Sequence, residues 1–227
     1  MAEAMPELKC AWASHEAAKY ACEHWHYSKC LPKGSLFKVG VWEDGRYVGV
    51  VIFSHGAIAN IGKPYGLTQN ECVELTRIAL RDHRHFVSEI MMQALHKLKD
   101  TNPGLRLIVS YADPAQGHNG GIYQATNWIY TGATPPQRKW LINGRLVHAR
   151  SVQHKKPRHM TESEFVRKRW KNAERVMDEG KHKYLMPLDR KMRKQVSPLA
   201  KPYPKKAVED GGTGTPSQNA IDLKEKE

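Results

Sequence analysis

The sequence predicts an α/β chain of the α+β kind: a central mixed, mostly antiparallel sheet flanked by helices, with a basic C-terminal helical extension. Three observations carry this. "LFKVGVW" and "YVGVVIFS" alternate apolar and smaller or polar residues on either side of "EDGR", and an Asp-Gly pair between such runs is a strong hairpin signal. Ile90, Met91, Ala94, Leu95 and Leu98 recur at helical spacing after Ser88 and stop at "NPG". Basic residues gather late, with 17 Lys and Arg against 6 Asp and Glu in residues 151–208, compared with 17 against 12 in residues 1–150.

Taken in order, Ser14 caps a short helix through about Trp25. The hairpin follows, and then a glycine-rich loop, "GAIANIGKPYGLTQN". "CVELTRIAL" alternates as a strand, with Cys72, Glu74, Thr76 and Ile78 on one face and Val73, Leu75, Arg77 and Ala79 on the other. Ser88 stands where the N-cap of the next helix belongs. "LRLIVSYAD" is a buried strand, "NGGIYQATNW" a short helix, "IYTGA" a strand, and "RKWLI" with "RLVHARSV" a hairpin around Asn143-Gly144. Thr161 and Glu164 have capping-box spacing and open a helix expected to close on Gly180. Its apolar stripe is Val166, Trp170, Ala173 and Met177, with Arg167, Lys168, Lys171 and Arg175 opposite. The expected divisions are residues 1–155 as a catalytic domain, 156–208 as the basic extension, and 209–227 as a disordered acidic tail.

No stretch approaches the roughly 18 apolar residues that span a bilayer, and the start lacks a signal-peptide pattern. A soluble, cytoplasmic protein without membrane partners is expected. Cys10, Cys22, Cys30 and Cys72 form no C-x-x-C pair, so reduced thiols are the default. A net charge of +13 is the footprint of a protein that meets a polyphosphate. Lys155, Lys156, Arg158, Arg167, Lys168, Lys171 and Arg175 are the expected nucleic-acid contacts, with Trp128 and Trp170 as candidates for base stacking.

Three places could carry chemistry. "HWHYSKC" holds His26 and Tyr27 at a helix end, where a histidine serves either a site or the structure alone. Asp113 ends a buried strand and Tyr123 follows on the next helix, behind Gly117, Gly120 and Gly121; ligands of open α/β sheets gather at such strand ends. Together His, Asp and Tyr make either a metal-ligand set or an acid/base set. Ser88 at a helix start, preceded by Arg81 and Arg84 in "RDHRH", could meet an anion or serve only as a cap.

"HYSKCLPKG", "GVWEDGRYVGVVIFSHGA", "IGKPYGLTQNECVELTRIAL", "SYADPAQGHNGGIYQATNWIYTG" and "INGRLVHARSV" together resemble the Mom family of phage DNA-modification proteins, over roughly residues 20 to 152. The resemblance implies a GNAT-like fold. It also implies conversion of adenine in double-stranded DNA to N6-carbamoylmethyl adenine in the host bacterial cytoplasm, shielding phage DNA from restriction. Carried over by position, Asp113, Tyr123, Ser88, Arg77 and Tyr27 are the expected catalytic residues. Ser88, Arg84 and Arg81 are expected to bind a cofactor, and His26, Tyr27, Asp113 and Tyr123 to hold an iron. The expected partners are duplex DNA and a small-molecule donor from the host, acetyl-coenzyme A or another, with a homodimer also considered. One feature departs from the GNAT pattern: the loop before the long helix, "RDHRHFVS", has no glycine, where the superfamily's pyrophosphate cradle usually reads Q/R-x-x-G-x-G/A. The product is also an N-alkyl adenine, not an amide, so acyl transfer alone does not give it. The alternative reading is an acetyl-coenzyme A-dependent N-acetyltransferase acting on a protein or small amine.

Overall fold

Ser14 accepts the Ala17 N–H and starts helix α1 (His15–Trp25), which follows a short strand β1 (Leu8–Trp12) that pairs antiparallel with the next strand. The computed structural model describes residues 4–56, 60–153 and 155–204; the expected acidic tail lies outside the described residues. Strands β2 (Leu36–Glu43) and β3 (Arg46–Ser54) form the expected hairpin. Asp44 and Gly45 both take left-handed backbone angles, φ 47° and 75°, as a tight two-residue turn requires.

Strand β4 (Cys72–Leu80) leads to helix α2 (Val87–Thr101), strand β5 (Leu107–Ala112), helix α3 (Gly121–Ala125) and strand β6 (Ile129–Ala133). Next come β7 (Arg138–Ile142), β8 (Arg145–His148), α4 (Ala149–Gln153), α5 (Glu162–Arg169) and β9 (Glu174–Met177). Strand β10 (His182–Pro187) and helix α6 (Arg190–Val196) follow.

The main sheet has the order β1-β2-β3-β4-β5-β10-β6, and a second sheet the order β8-β7-β9. In the main sheet β4 and β5 run parallel and every other pair is antiparallel, so the mixed, mostly antiparallel sheet flanked by helices is the architecture found. Val51, Phe53 and Ile108 face α2, whose Ile90, Met91, Ala94, Leu95 and Leu98 are buried against them. Val50 and Ile52, from the opposite face, pack on Ala18, Ala21 and Cys22 of α1. Further along that face α6 places Met192 and Val196 on Leu107, Val109 and Leu185. Each Val, Leu, Ile, Phe or Met among them contributes about 1.5–3 kcal/mol when withdrawn from water.

Three sequence expectations are corrected. The alternation along β4 does not run through: its register against β3 slips between Ile52–Arg77 and Phe53–Leu75, a bulge at Thr76. Val73, Leu75, Ile78 and Leu80 therefore share the α2 face, while Ala79 packs with α1. The bulge re-aims Arg77 toward the end of α1. Helix α2 begins at Val87, so Ser88 lies inside its first turn; Glu89 reaches back to the Phe86 N–H and supplies the cap. The described part of the expected extension, residues 156–204, is not a helical appendage. Helix α5 ends at Arg169 because the chain turns into β9 against β7, fixed by a buried Lys139–Asp178 ion pair at 2.8 Å. Met177 of the expected stripe is consequently exposed. Strand β10 then enters the main sheet as its penultimate strand, between β5 and β6.

Candidate functional site

Strands β4 and β5 pair only from Cys72–Leu107 to Leu75–Ser110, and beyond that point no pairing joins them. A cavity of about 390 Å³ lies where they part, lined by Thr76, Arg77 and Ile78 from β4, Tyr111 and Ala112 from β5, and His26 and Tyr27 from the end of α1. His118 to Tyr123 close another side, and His83 and Val87 a third. The volume is within the range of small-ligand sites. Gly120 is required in that wall: its φ is 82°, and a Cβ there would meet the Tyr184 ring at 2.4 Å. Tyr184 in turn ties the loop down by donating its hydroxyl to the Asn119 carbonyl at 2.6 Å.

His26 is 8% exposed. Its Nδ1 lies 2.8 Å from the Ser28 hydroxyl, accepts the Ser28 N–H at 3.1 Å and sits 3.2 Å from the Arg77 guanidinium. Arg77 also donates to the Ser28 hydroxyl and, at 3.7 Å, to the Cys30 Sγ. A backbone N–H and a guanidinium can only donate, so Nδ1 carries the lone pair and neutral His26 keeps its proton on Nε2. Burial, and then the Arg77 charge, push His26 down to about 4, so it is neutral near pH 7. Tyr27 is 57% exposed at the mouth, its ring 4.2 Å from His26 and 5.9 Å from His118.

Tyr123 has the complementary polarity. Ser110 gives its single hydroxyl proton to the Leu75 carbonyl at 2.9 Å, so the 2.8 Å contact between Ser110 and Tyr123 is a donation from the tyrosine. Burial pushes the Tyr123 phenol up to about 12. The phenol is neutral, its proton is committed, and its remaining lone pair can only accept.

The other expected residues fall elsewhere. Asp113 does not line the cavity; its carboxylate accepts the Ala115 N–H at 3.1 Å and pairs with Lys181 at 3.2 Å, which shapes the loop leading to Gly117. Ser88 lies outside the lining, and Arg81 lies over the Trp25 ring at 5.6 Å. The Arg84 and His85 N–H groups donate to the buried Glu43 carboxylate at 2.9–3.0 Å, and the Phe86 N–H to Glu89 at 3.2 Å. Backbone groups that would cradle a pyrophosphate are thus already filled by carboxylates, and these amides do not fit coenzyme A. Trp128 is fully buried and closed to base stacking. His24 donates its Nδ1–H to the Tyr20 carbonyl, 2.8 Å away, outside the cavity lining.

The expected iron set is not assembled. Among the described residues no group of three or more His, Cys, Asp and Glu side chains could hold a metal. The Asp113 carboxylate is held by a lysine, Tyr123 is bonded to Ser110, and a guanidinium at His26 would repel a cation.

Of the expected DNA contacts, Lys155, Arg158, Arg167, Lys168, Lys171 and Arg175 are exposed, and Lys156 reaches the Met160 carbonyl. They belong to the small unit built on the second sheet, whose core is Trp140, Ile142, Val152 and Val166. Arg175 covers the Trp140 ring at 4.9 Å. Trp170 packs on that core. Sequence reasoning missed Ser110, His118 and Glu43; of these, His118 had a signal, its place in the glycine-rich "GHNGG" loop.

Residues 7–205 match the Mom protein family, which extends beyond the 20–152 expected and takes in β10. The chain is 29% identical over 131 residues to the methylcarbamoylase mom of Escherichia phage Mu. That match covers 56% of this chain and about half, 54%, of the relative. Among solved structures it is similar to an Acinetobacter baylyi ADP1 protein described as an acetyltransferase, with TM-score 0.47 and 12% identity over 83% of this chain and 96% of the other. It is also similar to the diaminobutyrate acetyltransferase EctA of Paenibacillus lautus, solved with L-2,4-diaminobutyric acid and coenzyme A, with TM-score 0.40 and 10% identity over 80% and 95% of the two chains. Likenesses this loose carry no functional argument.

Proposed function

We propose, for a chain that belongs to the Mom protein family, that it is a phage enzyme that modifies adenine in double-stranded DNA at the exocyclic N6 in the host cytoplasm, adding a carbamoylmethyl group. The observation that carries this reading is that His26, with its proton on Nε2, and Tyr123, with its hydroxyl proton given to Ser110, both line one cavity. Adenine presents an N6–H donor beside a ring-nitrogen acceptor. His26 would donate to the ring nitrogen while Tyr123 accepts one N6–H and holds N6 for reaction. Guanine offers an acceptor, O6, where adenine offers N6, and would leave the Tyr123 lone pair facing another lone pair.

Reaching the cavity requires the adenine to leave the duplex, at a cost of a few kcal/mol. The exposed cations of the second-sheet unit would hold the phosphates without reading sequence. In the cavity the transfer forms a bond from N6 to the methylene carbon and breaks the bond from that carbon to a leaving group on the donor. The bonding pair goes with the leaving group and the N6 proton to water. Arg77 would pair with an anionic group of the donor, and Tyr27 would stack on the extruded base at the mouth.

Mass spectrometry of nucleosides from plasmid DNA of cells expressing the chain tests this directly. A deoxyadenosine species heavier by one carbamoylmethyl group is expected with the wild type. Tyr123→Phe, which leaves Ser110 bonded to Leu75, should lower its yield about tenfold or more, the loss expected for one transition-state hydrogen bond. Unmodified adenine from soluble wild-type protein overturns the function; a wild-type yield from Tyr123→Phe overturns the site.

A further inference from the structure

Phe86 is 74% exposed, the most exposed large apolar side chain among the described residues, and it directly precedes Val87, which lines the cavity. A phenylalanine left in water at a cavity rim forfeits the burial that ordinarily explains it. The loop that displays it is firmly held. Glu43 takes the Arg84 and His85 N–H groups, the His85 ring bonds the Pro6 carbonyl at 2.8 Å, and Glu89 takes the Phe86 N–H. The backbone is fixed on the protein side while the ring projects outward. Its neighbours carry the charge a phosphate backbone attracts: Arg81 and Arg84 are exposed, and His83 lines the cavity. Tyr27, on α1's side of the cavity, is the other exposed aromatic of the mouth.

We propose that Phe86 is a DNA wedge, a ring that enters the base stack and fills the gap left when an adenine is extruded into the cavity, with Arg81 and Arg84 on the flanking phosphates. Apolar side chains inserted between base steps are a general means of unstacking a duplex. Insertion also returns the exposed ring to an apolar environment, which couples its burial to base extrusion. Duplex DNA is the occupant because the chain carries a net charge of +13 and the exposed Arg81 and Arg84 precede the ring in the segment whose His83 and Val87 line the cavity. The proposal rests on the adenine-modification reading for the identity of the extruded base.

The test uses the full chain and a probe duplex in which 2-aminopurine stands directly beside its one adenine, because losing the stacking of that neighbour raises its fluorescence. The wild type should give a rise. Compared at protein concentrations that saturate the duplex in each case, Phe86→Ala should give a rise about fivefold smaller than the wild type. On a second probe, where that adenine faces an abasic site and is already loose, the two proteins should give rises within about twofold of each other. Phe86→Leu, which keeps an apolar wedge, should stay near the wild type. No rise with the wild type overturns the proposal, as does an equal rise from Phe86→Ala on the paired probe or an equal loss on both probes. Plasmid nucleosides separate the two readings. A wild-type fluorescence rise without modified adenine defeats the function and leaves the wedge standing, whereas full plasmid modification by Phe86→Ala defeats the wedge and leaves the function.

Discussion

His26 meets hydrogen-bond donors at Nδ1 alone, from the Ser28 N–H and the Arg77 guanidinium, and this arrangement separates two chemistries that its residue type leaves open. With the proton on Nε2 the ring is an electrophilic hydrogen-bond donor; a general base or a metal ligand would need that nitrogen bare. The same environment has a consequence for stability. Folded His26 titrates near 4 whereas a free histidine titrates near 6.5, so the unfolded chain takes up a proton in that window that the folded chain does not. Stability is therefore full above about pH 6.5 and falls as the pH drops toward 4. Urea unfolding should show this acid loss in the wild type and a shallower one in His26→Gln between about pH 6.5 and pH 4. Identical pH dependence in the two proteins would contradict the burial of His26 beside Arg77. "HYSK" was legible as a candidate in the sequence; Arg77, more than fifty positions away in the chain, and the tautomer it helps impose were not.

Among the elements, the loop into α2 shows how a single side chain can redirect a familiar motif. Glu43 ends β2, and its carboxylate, 3% exposed, accepts two N–H groups from the Arg84–His85 turn. Glu43→Ala leaves both donors without that partner and should cost about 2–3 kcal/mol, since hydrogen bonds to charged groups are worth about 1.5–3 kcal/mol each and part is regained from water. Thermal unfolding measures that loss. Release of the loop should also diminish the 2-aminopurine signal that depends on Phe86. The local signals of α1, α2 and the β2–β3 hairpin were sufficient because capping, helical period and an Asp-Gly turn act within a few residues. The β4 bulge and the start of α2 depended on distant partners, Phe53 across the strand pair in one case and Glu43 in the other. Periodicity cannot register either of them.

At the scale of the molecule, the charge excess and the sheet compete for the same stretch of chain. Residues 155–175 display cations on the second-sheet unit, and β10, a few residues later, sits between β5 and β6 in the main sheet. A truncation before β10 would open the sheet, so the DNA contribution is better measured by substitution. Replacing Arg167, Lys168 and Lys171 together with alanine should weaken duplex binding uniformly across sequences and flatten the plot of log affinity against log salt by about 2 to 3, near 0.9 per phosphate contact. An unchanged slope would place the DNA on another face. No helix among the described residues is long and apolar enough to cross a membrane. The sequence by itself determined the sheet-and-helix architecture, the basic character, the family and the residue types at the cavity, because composition, short-range period and ordered blocks of similarity are properties of the chain alone. Only the tertiary structure decided which face of β4 carries Arg77, that β10 completes the sheet, that Asp113 belongs to a loop, and which way the protons of His26 and Tyr123 point. Each of those depends on hydrogen bonds and register between residues far apart in sequence.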